Sequence, residues 1–145
     1  MKKLFIFSIS LFSICACTKK SVINTAVPLS AQFLGNYSVN EKGNSNAASQ
    51  YAISITSGDN SSDLFIKNFN NYFTTPVKAQ IIGDSIYIPG QTLEGRTIFG
   101  VGYLASNSTS GKGSSITMSY EVLDPNSTIV ACYGYNNTST SQWSK

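Results

Sequence analysis

The sequence contains no histidine. That single absence removes the Ser-His-Asp and Cys-His mechanisms and the usual zinc sites. Charge is scarce as well. Asp, Glu, Lys and Arg make up 12% of the 145 residues, about half the usual share. Serine, threonine and asparagine fill the gap, which gives a polar but uncharged surface. A disordered chain would carry more charge and fewer aromatic and β-branched residues. There is one tryptophan, Trp143, and there are three cysteines, Cys15, Cys17 and Cys132. No internal repeat, no strand–helix alternation and no second domain can be read. No apolar run reaches the ~20 residues of an ordinary membrane-spanning helix.

What is present begins at the N-terminus. Lys2 and Lys3 precede a short apolar run, Leu4 to Ile14, broken only by serines. Ala16 supplies a small residue just before Cys17. This is the anatomy of a secretory signal peptide. Its ending, Ile14-Cys15-Ala16-Cys17, resembles the lipobox of bacterial lipoproteins. The resemblance implies a diacylglyceryl, N-acylated Cys17, with residues 1–16 removed. Cys15 is the poorer site, because Ile14 is not the small residue that cleavage requires. More than two acyl chains anchor stably, so the folded domain would need no membrane contact of its own. Loss of Lys2 and Lys3 brings the formal charge of +3 down to near zero. Nothing in that charge favours nucleic acid.

Residues 17–29 read as the lipidated cysteine and a flexible tether. Residues 30–145 read as one domain, long enough to bury a core. Ser30 to Leu34 suits a single helical turn stopped by Gly35. The remainder alternates apolar and polar residues between turn formers. Strands are expected at 35–41, 50–57, 63–69, 77–82, 85–88, 96–105, 115–123 and 128–135. Gly83-Asp84 marks a tight hairpin, and Pro89-Gly90 and Asp124-Pro125-Asn126 mark loops. Eight short, evenly spaced strands predict an all-β fold: a single antiparallel meander closed or nearly closed into a barrel. Strand phase places Tyr37, Ile53, Ile55, Val101, Ile116, Met118, Tyr120 and Val130 inside. Phe99, Val101 and Tyr103 share one face of the sixth strand.

These strands resemble a group of small bacterial lipoproteins with a lipocalin-like (calycin-type) barrel. The matching stretches are Phe33-Leu34-Gly35-Asn36-Tyr37-Ser38-Val39, Leu64-Phe65-Ile66-Lys67-Asn68-Phe69, Ile86-Tyr87-Ile88-Pro89-Gly90-Gln91, Ile116-Thr117-Met118-Ser119-Tyr120 and Ala131-Cys132-Tyr133. They span roughly residues 31–135 and are structural in character. In that group a second cysteine often follows the first strand. Glu41-Lys42-Gly43 stands there instead, so Cys132 lacks that partner. The resemblance implies a fold and a location, and it transfers no functional residues.

Residues that could carry chemistry are few. Cys132 lies in an apolar run and reads as a buried small hydrophobe. The seven carboxylates, Glu41 among them, sit mostly at predicted turns or strand ends and read as solvated. Asp59 and Asp63 flank a Ser/Asn-rich loop but fit no EF-hand spacing. Gly100-Val101-Gly102 lies within a strand with no helix after it, which suggests a bulge or bend. Aromatic residues are the remaining signal. Most suit core packing, Asn70-Asn71-Tyr72-Phe73 suits an exposed loop with Tyr72 and Phe73 as binding residues, and Trp143 suits a staple for the chain end.

The expected protein is therefore a monomeric, non-enzymatic binding module in the cell envelope. It would be lipid-anchored on the outer membrane and face the periplasm, without cofactor, metal or nucleic acid. Its partner would be a small apolar ligand, a glycan or a protein. Two alternatives accompany this reading. One is a lipocalin-type carrier of a small apolar ligand. The other is an inhibitor of a cell-wall enzyme such as lysozyme, working through loops 43–49 or 106–113.

Overall fold

The structure is a computed structural model that describes residues 29–43, 48–105, 115–135 and 139–145. Cys17, the leader 1–16 and all of the tether but its last residue lie outside the described residues, as does most of both inhibitor loops.

The fold is all-β. Eight antiparallel strands close into a barrel and a ninth is added beside them. In chain order these are β1 (Gly35–Lys42), β2 (Ala48–Ser57), β3 (Asp63–Lys67), β4 (Val77–Ile82), β5 (Ser85–Leu93), β6 (Arg96–Ala105), β7 (Ser115–Leu123), β8 (Ile129–Tyr133) and β9 (Thr140–Ser144). Each of β1 to β7 pairs with the next, as a meander must. The barrel closes through β9, which pairs with β7 on one side and β1 on the other.

β8 and β9 are two halves of one strand position. Tyr133 lies opposite Tyr120, and Ser141 lies opposite Met118. Two residues of progress along β7 thus correspond to eight along the partner chain. The sequence predicts a single eighth strand. Observed instead are a short strand on β7 and a separate closing strand built around Trp143.

Turn chemistry explains the hairpins. Gly83 takes φ +60° in the two-residue β4–β5 turn, as that geometry requires of a residue without Cβ. Glu94 and Gly95 both have positive φ between β5 and β6, the signature of a type I′ turn. Pro89-Gly90 does not end a strand, as the sequence suggests. β5 runs on through a bulge between Ile88 and Gln91. The Gln91 carboxamide accepts from the Lys78 N–H at 3.0 Å and donates to the Lys78 carbonyl at 2.8 Å, standing in for the missing ladder bonds.

The core lies within the barrel. Tyr37 and Val39, Ile53 and Ile55, Leu64 and Ile66, and Val77 and Ala79 point inward from β1 to β4. Ile86, Ile88 and Ile98 follow from β5 and β6, and Ile116, Met118, Tyr120 and Val122 from β7. Fully burying a side chain of this size contributes about 1.5–3 kcal/mol relative to exposure. A first 3-10 turn (Leu29–Gln32) leads to buried Phe33, whose carbonyl accepts a 2.8 Å bond from the Tyr37 hydroxyl.

Strand phase on β6 is opposite to the sequence expectation. Ile98, Gly100 and Gly102 face inward, Phe99 and Val101 are half-buried outside, and Tyr103 is 56% exposed. The reason is volume. Tyr120 and Met118 from β7 fill the space that large residues at 100 and 102 would need. Val130 also departs from expectation at 46% exposure, because it is the extra residue between Ala131 and Ile129 where the pairing of β8 with β7 shifts register.

Candidate functional site

The chain's one buried acid is where sequence reasoning placed a solvated one. Glu41 ends the inward row of β1 and is 2% exposed. Its position follows from strand parity: Tyr37, Val39 and Glu41 share a face, so the carboxyl must enter the barrel. Oε1 accepts from the Tyr120 hydroxyl at 2.5 Å, Tyr51 at 2.8 Å and Ser141 at 2.9 Å. The network extends one step further on two sides. Trp143 Nε1 donates to Ser141 Oγ at 3.0 Å, and Asn70 Nδ2 donates to the Tyr120 hydroxyl at 2.7 Å. Donors from β2, β7 and β9 therefore converge on one oxygen of a β1 residue, and the segment after β3 joins through the Tyr120 hydroxyl.

Among the described residues no cation is in the set of groups that shift Glu41. Burial raises its pKa, opposed by the three hydroxyl donors. The tyrosines respond to the same environment. Burial and the Glu41 charge push Tyr51 and Tyr120 upward, which keeps both as neutral donors. The arrangement is a buried carboxyl ringed by three hydroxyl donors.

Above this network sits a second 3-10 turn (Phe69–Asn71). Asn68, Asn70 and Asn71 all adopt the left-handed region, which asparagine tolerates better than most residues. Asn68 anchors the turn by donating to the Ala52 carbonyl at 2.8 Å. The turn drives Phe69 into the barrel, edge-on to Tyr120 at 4.7 Å and to Trp143 at 5.7 Å between centroids. Three buried aromatic rings thereby pack together in the core.

That placement corrects the expected aromatic loop. Phe73 is 1% exposed and packs in the core against Phe69. Tyr72 is partly exposed, with the Arg96 guanidinium 3.7 Å from its ring centre, a cation–π contact. The Tyr72 ring stands edge-on to Phe73 at 5.2 Å, so of the pair only Tyr72 reaches the surface. Cys132 is likewise not a core residue. It lies half-buried on the outer side of β8 opposite Glu121, with Sγ 3.8 Å from the carboxylate. Burial and that negative charge push the thiol pKa up. Asp59 and Asp63 line a surface cleft of about 160 Å³ with Phe65 and Lys78. Among the described residues no three metal-ligating side chains come together.

The outer face holds the other concentration of unusual residues. Tyr87 on β5 lies opposite Val101 on β6, and Tyr103 is two residues beyond Val101 on the same face, a diagonal neighbour of Tyr87. Tyr135 joins them: burial, and then the nearby Glu121 carboxylate, push its pKa up, and Tyr103 lies within electrostatic reach of its hydroxyl. It follows Gly134, whose carbonyl accepts from Ser119, the residue opposite Val101 on β7. Tyr87, Tyr103 and Tyr135 are 43%, 56% and 49% exposed. Period-two alternation could have revealed this face, had Gly100 and Gly102 been read as interior positions.

Fold and site together define a small closed β-barrel with a buried aromatic cluster, a buried carboxyl network and a tyrosine-bearing outer sheet. No protein-family model matches the chain, and no curated protein matches it in sequence.

Proposed function

We propose that this chain is a lipid-anchored envelope lipoprotein with a lipocalin-like barrel. It acts as a non-enzymatic binding module that engages its partner through the outer face of β5, β6 and β7. The observation that carries the reading is the contrast between inside and outside. Phe69, Tyr120 and Trp143 pack together in the core, where a carrier would hold its ligand, whereas Tyr87, Tyr103 and Tyr135 stand exposed together outside. Exposed aromatic groupings of this kind on a monomer mark interaction sites. Tyrosine gives contact area at small entropic cost and retains a hydroxyl for hydrogen bonding. The anchor rests on the lipobox ending at Cys17 and on the tether after it, which extended would reach ~30 Å from the bilayer. The outer membrane, with the domain facing the periplasm, is the proposed location.

Site-directed photocrosslinking in intact cells tests the binding face. A photoreactive residue at position 103 should give a discrete adduct, to protein or to envelope polysaccharide, and the same group at Lys78 should not. Absence of any adduct from position 103, or equal labelling from both positions, defeats the reading.

A further inference from the structure

β9 is the strand that closes the barrel, and both of its inward side chains belong to the Glu41 network. Ser141 donates directly to the carboxyl, and Trp143 donates to Ser141. The strand has five residues and pairs with β1 and β7, and because β1 keeps β2 and β7 keeps β6 as neighbours, its departure leaves those hairpins paired. We propose that β9 is a pH-sensitive closing strand, docked between β1 and β7 while Glu41 holds its proton and released more often once the carboxyl ionises.

What surrounds the carboxyl in the closed barrel disfavours its ionised form. The titratable groups facing it are Tyr51 from β2, Tyr120 from β7 and Tyr133 from β8. All three are phenols held neutral by their raised pKa values, so among the described residues no positive charge faces the carboxyl. Lys42, the next residue on β1, is exposed on the opposite face. A buried carboxylate without a counter-cation is costly, and the hydroxyls offset only part of that cost. Withdrawal of β9 removes the Ser141 and Trp143 covering and lets water reach Glu41. The open form therefore ionises at lower pH than the closed form. Closed barrel and proton are linked: between the two pKa values, the open population rises about tenfold for each pH unit. The proton lost from Glu41 passes to solvent. This inference stands independently of the proposed binding face.

Trp143 is the chain's one tryptophan and is fully buried, which makes it a direct reporter. The experiment is acrylamide quenching of tryptophan fluorescence in the full-length chain, titrated upward from pH 4, with circular dichroism confirming that the fold persists. Quenching should grow with pH in the wild type and stay level in Glu41→Gln. Tyr51→Phe removes one donor from the ionised carboxyl, so its transition should move to higher pH. A merely structural role for Tyr51 would raise quenching at every pH without moving the midpoint. Constant quenching in the folded wild type overturns the proposal. So does an undiminished pH response in Glu41→Gln. If Glu41→Gln does not fold, an unmoved midpoint in Tyr51→Phe is the overturning result.

Discussion

Gly100 on β6 lies opposite Tyr120 on β7, and the pairing leaves no room for a side chain at position 100. A Cβ there would stand 2.6 Å from both the Tyr120 Cβ and the Ser119 carbonyl oxygen. The two obstacles belong to the backbone and to the root of a side chain, so neither can swing aside. At Gly102 the nearest obstacle is the Met118 sulfur, the mobile part of an adaptable side chain. Gly100→Ala should therefore destabilise by about 1–3 kcal/mol, as overpacked cores do, and Gly102→Ala by less. Gly90→Ala, with nothing within 4 Å of the added carbon, is the control and should be near neutral. Urea unfolding midpoints order the three.

The barrel should depend on its last strand. Trp143 is fully buried and touches Phe69, so Trp143→Ala should cost about 3–5 kcal/mol. Ile116→Ala, removing its cross-strand neighbour in the core, should cost about 2–5 kcal/mol. Thr117→Ala should stay within about 0.5 kcal/mol, since Thr117 is exposed and bonds only outward to Gln142. Equal effects at 116 and 117, read from thermal unfolding, would contradict the assigned phase of β7.

Global stability should carry the mark of Glu41. Burial raises the folded-state pKa above that of the unfolded chain, so the native state binds more protons across the interval between them. The contribution is fully present below the ordinary Glu value and is lost as pH rises through the raised one. Unfolding free energy should therefore fall across that interval, and Glu41→Gln should flatten the fall. Urea titrations at successive pH values measure both slopes. An unfolding free energy that rises across the same interval in the wild type, and does so less in Glu41→Gln, would reverse the sign.

Cys132 should be a slow thiol. Burial and the neighbouring Glu121 carboxylate both disfavour the thiolate, the form that reacts. Alkylation by iodoacetamide near neutral pH should lag behind a free cysteine, and Glu121→Gln should speed it. A wild-type rate matching the free amino acid would show that neither influence operates.

Lipidation is tested at the sulfur. Cys17→Ala should abolish incorporation of labelled palmitate, while Cys15→Ala should not. The reverse pattern would move the anchor to Cys15.

Much of the barrel was legible because strand alternation is a local property. Ile116, Met118, Tyr120 and Val122 alternate with smaller or more polar neighbours, so β7 could be bounded and phased from residues a few positions apart. Tyr37, Ile53 and Ile55 lie inside as their alternation requires. The Gly83-Asp84 hairpin followed from the backbone freedom of glycine. β9 was not legible as a strand. Thr140 to Ser144 has only Trp143 as a large apolar residue, and its strand character comes from two flanking partners.

By itself, then, the sequence determined the strand class, most strand boundaries, and the absence of histidine-based chemistry, since each depends on residue type and short-range order. Tertiary structure alone decided which side of β6 is interior. Gly100 and Gly102 look like weak points in a strand until Tyr120 and Met118 arrive from the next one to fill their space. It also decided the environment of Glu41. An acid three residues before the turn-like Asn44 reads as solvated. The inward parity of β1, the closure by β9 and the plug at Phe69 instead enclose it among hydroxyls. Burial of a charge is a property of everything that surrounds it, and here those surroundings come from segments up to 100 residues away in the chain.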